Sequence, residues 1–145
     1  VPWRIVLDPA GRLWDRELKL FAQPERVVWV VSDDVSLKER GGVEVIPVPC
    51  REGALEISVL LRELSKRGLT SVLLEGGAGL YHRFLQAQAV DKLHLFQTPK
   101  TIGGEQRIPW LSPDVSEEVE VSKTGLCPLD QDWLVEGRIS YNTKA

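Results

Sequence analysis

The chain has 145 residues, 43% of them hydrophobic, which suits one globular domain with a sizeable core and does not suit a disordered or fibrous chain. Its net charge of −3 gives no long-range attraction to nucleic acid or anionic membranes, and its longest apolar runs are far shorter than the roughly 20 residues of a spanning helix. Val1-Pro2-Trp3-Arg4 has neither a basic nor an apolar leader pattern, so a cytoplasmic location is expected. Cys50 and Cys127 lack any CxxC or histidine-linked spacing; they are expected to be buried thiols, with no disulfide and no zinc.

Arg4 to Asp8 is a β-rich run closed by Asp8-Pro9-Ala10-Gly11, whose proline and glycine mark a turn. Gly11 to Pro24 reads as an ordered loop, with Leu13, Trp14, Leu18, Leu20 and Phe21 as packing groups. The continuous run Val27 to Val31 within Glu25 to Ser32 predicts a strand buried on both faces, closed by Asp33-Asp34. Val43 to Pro49 predicts a peripheral strand, because Pro47 and Pro49 suit an edge or a strand end. From Glu56 to Arg67, Ile57, Leu60, Leu61 and Leu64 recur at helical spacing, and Lys66, Arg67 and Gly68 suit the helix end.

Ser71 to Leu74 predicts a strand, followed by the turn Glu75-Gly76-Gly77 and a helix from Ala78 to Ala89 that buries Leu80, Phe84 and Leu85. Lys92 to Gln97 alternates as a strand, and Pro99 to Gly104 is a loop containing Gly103-Gly104. Glu117 to Lys123 and Trp133 to Ile139 read as two final strands joined by the connection Gly125 to Asp132. Strands alternating with helices, ending in a hairpin, predict an α/β domain whose mixed sheet is covered by helices on both faces. Trp29 and Trp110 are expected to pack and Trp133 to stabilise the hairpin. His82 and His94 are expected to be surface or packed residues, and Ser116-Glu117-Glu118 a solvated strand edge.

The stretch Leu73 to Tyr81 carries the most chemistry. An apolar strand ends in a carboxylate and turns through glycines into a helix, whose free N–H groups and positive dipole end favour a phosphate or pyrophosphate. Glu75 cannot be attracted to the same phosphates, so it is expected to face another part of the ligand or a second molecule. A glycine-rich turn by itself is a weak signal, since a plain tight strand-to-helix turn has the same pattern.

The ordered series Ile5-Val6-Leu7-Asp8, Val72-Leu73-Leu74-Glu75-Gly76-Gly77, Ala89-Val90-Asp91 and Pro99 with Gly103-Gly104 resembles the reductase domain of the bifunctional riboflavin-biosynthesis deaminase-reductase over nearly the whole chain. The resemblance implies a dihydrofolate-reductase-like fold: a mixed sheet flanked by helices, with a C-terminal β-hairpin. It also implies NADPH-dependent reduction of 5-amino-6-(5-phosphoribosylamino)uracil to its ribitylamino counterpart, chemistry that needs no protein nucleophile. Carried over by position, Glu75 contacts substrate, and Gly77, Ala78, Gly79, Leu80 and Tyr81 line the cofactor phosphates and ribose. Leu80 and Tyr81 do so through their backbones while their side chains serve the core. The other reading of Glu75 is a helix-start carboxylate favoured by the dipole.

Asp8, at the end of the first strand, falls where this type of sheet faces the adenosine end of the cofactor. There it repels a 2′-phosphate unless it caps its own turn. Arg12 is the candidate partner of that phosphate and Ser32 a candidate ribose or phosphate contact. Relatives open with a Ser-x-Asp-Gly strand, a helix and an Asp-x-Pro-x-Leu segment, and bifunctional ones carry a zinc deaminase upstream. None of these precedes Val1, so residues 1–145 are expected to be the C-terminal part of a reductase domain, an incomplete one. The alternatives are a catalytically silent nucleotide-binding or assembly module of the same fold, and a dihydrofolate reductase, which Glu75 disfavours. A small-molecule substrate and a homodimer formed through the sheet and its terminal strands complete what the resemblance implies.

Overall fold

A computed structural model describes residues 2–36, 41–101 and 119–142. Gly103-Gly104, Trp110 and Glu117-Glu118 lie outside the described residues. The chain divides into two compact units, Val1–Val72 and Leu73–Ala145.

In the first unit, strands β1 (Arg4–Leu7), β2 (Val27–Ser32) and β3 (Glu44–Val48) form a parallel sheet in the order β1-β2-β3. β2 is central and all six of its residues are buried, which is why its sequence is apolar without alternation. Among the described residues β3 takes the expected edge, so Pro47 interrupts no ladder on its outer side there. On one face of β2, Val27, Trp29 and Val31 form a cluster with Trp14; Val6, Leu13, Leu20 and Phe21 pack against it. Trp29 stacks on Phe21 with ring centroids 5.0 Å apart and meets Trp14 edge-on at 5.3 Å. The 11–24 segment is thus an ordered loop that covers the sheet, with one 3-10 turn at Lys19–Ala22.

On the other face, Val28, Val30, Ile46 and Val48 are buried, and helix α1 (Ile57–Lys66), packed on β3, contributes buried Ile57, Leu60 and Leu64. Gly68, at φ 76°, ends α1 in the left-handed conformation, and the Gly68 and Leu69 amides donate to the Ser65 and Leu64 carbonyls. Arg67 bridges Glu63 at 3.0 Å and Glu44 of β3 at 2.6 Å. A small hairpin of β4 (Cys50–Arg51) and β5 (Ala54–Leu55) precedes the helix. Its turn residues Glu52 and Gly53 both have positive φ, the tight-hairpin geometry that Asn-Gly usually signals and Glu-Gly conceals.

In the second unit, helix α2 (Ala78–Gln86) ends three residues before the expected Ala89. Gln88 turns left-handed at φ 52°, while the Gln88 and Ala89 amides close on the Leu85 and Phe84 carbonyls. Phe84 and Leu85 are buried, but Leu80 is only half-buried. The strand expected at Ser71 to Leu74 is not formed. A strand needs a hydrogen-bonding neighbour, and among the described residues none pairs with this segment.

Strands β6 (Lys92–Gln97), β7 (Val119–Leu129) and β8 (Asp132–Tyr141) form an antiparallel sheet with β8 in the centre. Most of the connection expected from Gly125 to Asp132 is strand, leaving Asp130-Gln131 as the turn. β7 is an edge strand, where Pro128 costs no ladder bond, and a register shift between Ser122 and Gly125 absorbs the glycine. The Tyr141 hydroxyl donates to the Val90 carbonyl and accepts from the Val90 amide, both at 2.9 Å, joining the end of β8 to the α2–β6 connection. Burial pushes the pKa of Tyr141 up. The burial expected of the two free cysteines is not found: Cys50 is half-buried and Cys127 is exposed on β7.

Gly137 is buried at the centre of this sheet, where a Cβ would run into Val121 Cγ1 and come within 3.3 Å of the Ser122 carbonyl. Gly137→Ala is therefore expected to destabilise the fold by about 1–3 kcal/mol through overpacking. The check is a lowered urea midpoint at unchanged slope; an unmoved midpoint counts against the packing described.

Candidate functional site

The parallel sheet of the first unit presents the carboxyl ends of β1 and β2 side by side, the place where open α/β sheets receive ligands. Asp8 is 4% exposed there. Its amide donates to the Val30 carbonyl at 2.9 Å, while its carboxylate oxygens accept from the amides of Arg12 at 3.1 Å and Leu13 at 2.8 Å. The carboxylate therefore caps its own turn, one of the two roles the sequence allowed. Ser32 is also buried, and its amide donates to the Pro9 carbonyl at 3.0 Å, fastening the end of β2 to the Asp8 loop. Arg12 is exposed, and its guanidinium has no partner among the described residues.

In the second unit the glycine turn leads into α2 without a side-chain cap. Gly77 is the N-cap, with an extended backbone at φ −85° and ψ 170°, and its carbonyl accepts the amides of Leu80 at 3.0 Å and Tyr81 at 3.3 Å. The Ala78 and Gly79 amides precede those bonds and point out of the helix end, as first-turn donors do. A Cβ placed on Gly77 or Gly79 meets nothing within 4 Å, so the surface over both residues is open. Gly76 is constrained differently, since a Cβ there would lie 2.6 Å from Leu80 Cδ2. Tyr81 also departs from expectation. Its hydroxyl accepts the Gly76 amide at 3.2 Å, so the side chain folds over the turn instead of serving the core. Tyrosine at the fourth helical position, one turn above the glycines, is the sequence feature from which that bond follows. Glu75 is exposed at the lip of the turn.

Within the second unit, the open glycine surface and first-turn amides suit a phosphate or pyrophosphate. The histidines serve elsewhere: His94 Nδ1 lies 3.1 Å from Glu136 Oε1 across β6 and β8, and His82 Nδ1 is buried without a partner among the described residues.

These elements define an α/β protein of the dihydrofolate-reductase-like class. Residues 1–135 match the family described as RibD C-terminal domain, and the chain belongs to that family. It is similar to the riboflavin biosynthesis protein RibD of Actinobacillus pleuropneumoniae, 34% identical over 110 residues that make up 72% of this chain and 29% of that protein. It is also similar to the 2,5-diamino-6-ribosylamino-4(3H)-pyrimidinone 5′-phosphate reductase of Aquifex aeolicus, 38% identical over 64 residues, 44% of this chain and 28% of that one. Among solved structures, Acinetobacter baumannii RibD superposes with a TM-score of 0.76 at 26% identity, covering 96% of this chain and 38% of that one. The chain thus spans about a third of the length of the RibD proteins it matches. The family resemblance carried by the Glu75-Gly76-Gly77 series is borne out.

Proposed function

We propose that this chain carries the reductase chemistry of riboflavin biosynthesis, the NADPH-dependent reduction of 5-amino-6-(5-phosphoribosylamino)uracil to the ribitylamino compound. The observation that carries the reading is the glycine turn, open over Gly77 and Gly79, in a chain of the RibD C-terminal family. When bound, the cofactor supplies the hydride. The amides of Gly77, Ala78 and Gly79 bind its pyrophosphate, and the backbones of Leu80 and Tyr81 border it. Arg12, exposed on the loop after β1, meets the 2′-phosphate, which makes NADPH the preferred dinucleotide. Glu75 lies beyond the phosphates and orients the substrate by accepting its hydrogen bonds.

Glu75→Gln tests this assignment. It is expected to leave NADPH affinity unchanged and to lower substrate-dependent NADPH oxidation about 10- to 100-fold, the usual scale for a lost charged hydrogen bond. Saturable NADPH binding with no turnover in the unmodified chain identifies the silent module instead, and turnover of dihydrofolate identifies the third reading.

The chain is further proposed to act in the cytoplasm as a homodimer. Among the described residues no helix is long and apolar enough to cross a membrane. The terminal hairpin leaves Leu126, Leu129 and Trp133 exposed at 64%, 41% and 44%, an apolar end suited to self-association. Sedimentation as a monomer at micromolar concentration counts against the dimer.

A further inference from the structure

We propose that Asp8 is a positioning residue: by capping the turn that carries Arg12, it sets the preference for a 2′-phosphorylated nucleotide without touching the ligand. The inference rests on the assignment of Arg12 to the 2′-phosphate and adds to it how that arginine is held.

A buried carboxylate is costly unless it is fully hydrogen-bonded. Asp8 meets that condition with the main-chain amides of two consecutive residues, Arg12 and Leu13. The rest of the turn is fixed as well. Gly11 sits at φ 65° with its amide on the Asp8 carbonyl, and the Pro9 carbonyl accepts the Ser32 amide. Immediately after Arg12, Leu13 and Trp14 pack into the aromatic cluster of β2. The Arg12 backbone is therefore held on both sides, while its side chain stands exposed.

Two consequences follow for selectivity. A carboxylate offered to a ribose 2′-hydroxyl favours the unphosphorylated dinucleotide and repels the phosphorylated one. Here both Asp8 oxygens are taken by amides and the group is 4% exposed, so it offers no oxygen to a 2′-hydroxyl, and the two amide dipoles offset part of its repulsion. A carboxylate paired with the guanidinium of Arg12 would in turn neutralise it. Asp8 binds the arginine's backbone instead, leaving the side-chain charge for a ligand.

The test compares the affinities of the whole chain for 2′,5′-ADP and 5′-AMP by titration calorimetry, since the two differ only in the 2′-phosphate. The unmodified chain is expected to favour 2′,5′-ADP about 10- to 100-fold, and Arg12→Ala to abolish that ratio. Asp8→Ala is expected to lower the ratio towards the Arg12→Ala value while 5′-AMP affinity holds, and the double variant to be no worse than Arg12→Ala alone. If Asp8→Ala does not fold, Asp8→Asn, which keeps one acceptor, takes its place, with amide hydrogen exchange as a second reading. Faster exchange at Arg12 and Leu13 together with a reduced ratio supports the inference. Loss of the ratio in Arg12→Ala but not in the Asp8 variants overturns it and leaves the arginine assignment standing. An equal loss of affinity for both nucleotides in the Asp8 variants also overturns it, since that is what a merely structural role produces. No discrimination in the unmodified chain, or none lost in Arg12→Ala, overturns the arginine assignment and the inference together.

Discussion

Trp29→Ala is expected to lower the unfolding free energy by about 3–5 kcal/mol, the scale of removing a large buried aromatic side chain from a core that relaxes only in part. Trp29 is fully buried at the centre of β2, and its ring is held on one side by Phe21 and on another by the edge of Trp14. Alanine would remove both aromatic contacts and leave a cavity under the 11–24 loop. Trp29→Phe is expected to cost markedly less. Part of the stacking survives, and the change removes the indole Nε1, which is buried without a partner among the described residues, a situation that costs about 1–3 kcal/mol. Urea unfolding followed by far-UV circular dichroism separates the two. A loss below about 1 kcal/mol in Trp29→Ala would mean the aromatic cluster does not hold the loop. On the proposed assignment of Arg12, the cluster also bears on ligand binding, because Leu13 and Trp14, which follow Arg12 directly, pack with it.

The sequence was most legible where one local rule dominated. The unbroken apolar run of β2 identifies a strand covered on both faces, because only a central strand tolerates five such residues in a row. The leucine spacing of α1 identifies its buried face for the same reason, since a period of 3.6 has no other use. Legibility failed where the outcome depends on a partner. Ser71 to Leu74 has strand composition, yet composition supplies no neighbouring ladder, and the segment stays unpaired among the described residues. The terminal hairpin erred the other way: Gly125, Pro128 and Asp130 look like loop residues until a bulge and an edge position accommodate the first two. At the candidate site, the glycine turn was legible because helix ends follow local rules. The two roles of Asp8 differ only in which atoms its oxygens meet, and the amides of residues four and five positions on become visible only once the turn has closed.

Gly77→Ala is expected to separate ligand binding from folding at the glycine turn. Its backbone, at φ −85° and ψ 170°, lies in a region open to any L-residue, and a Cβ there meets nothing within 4 Å. The substitution should therefore leave stability unchanged or raise it by about 0.4–1 kcal/mol through the restricted unfolded chain. The same methyl would project into the open surface beside the Ala78 and Gly79 amides, where a phosphate oxygen needs close approach to the backbone. Pushing the anion away from one or two charged hydrogen bonds should weaken NADPH binding about 10- to 100-fold. Fluorescence titration of NADPH and thermal unfolding of the same sample provide the measurement, and the opposite directions of the two effects give it discriminating power. A structural glycine loses stability and binding together, as Gly137→Ala is expected to lose stability; a ligand-approach glycine loses binding alone. Unchanged NADPH affinity in Gly77→Ala would remove the phosphate from this turn, and Glu75 would then be a carboxylate at a helix start with no ligand beside it.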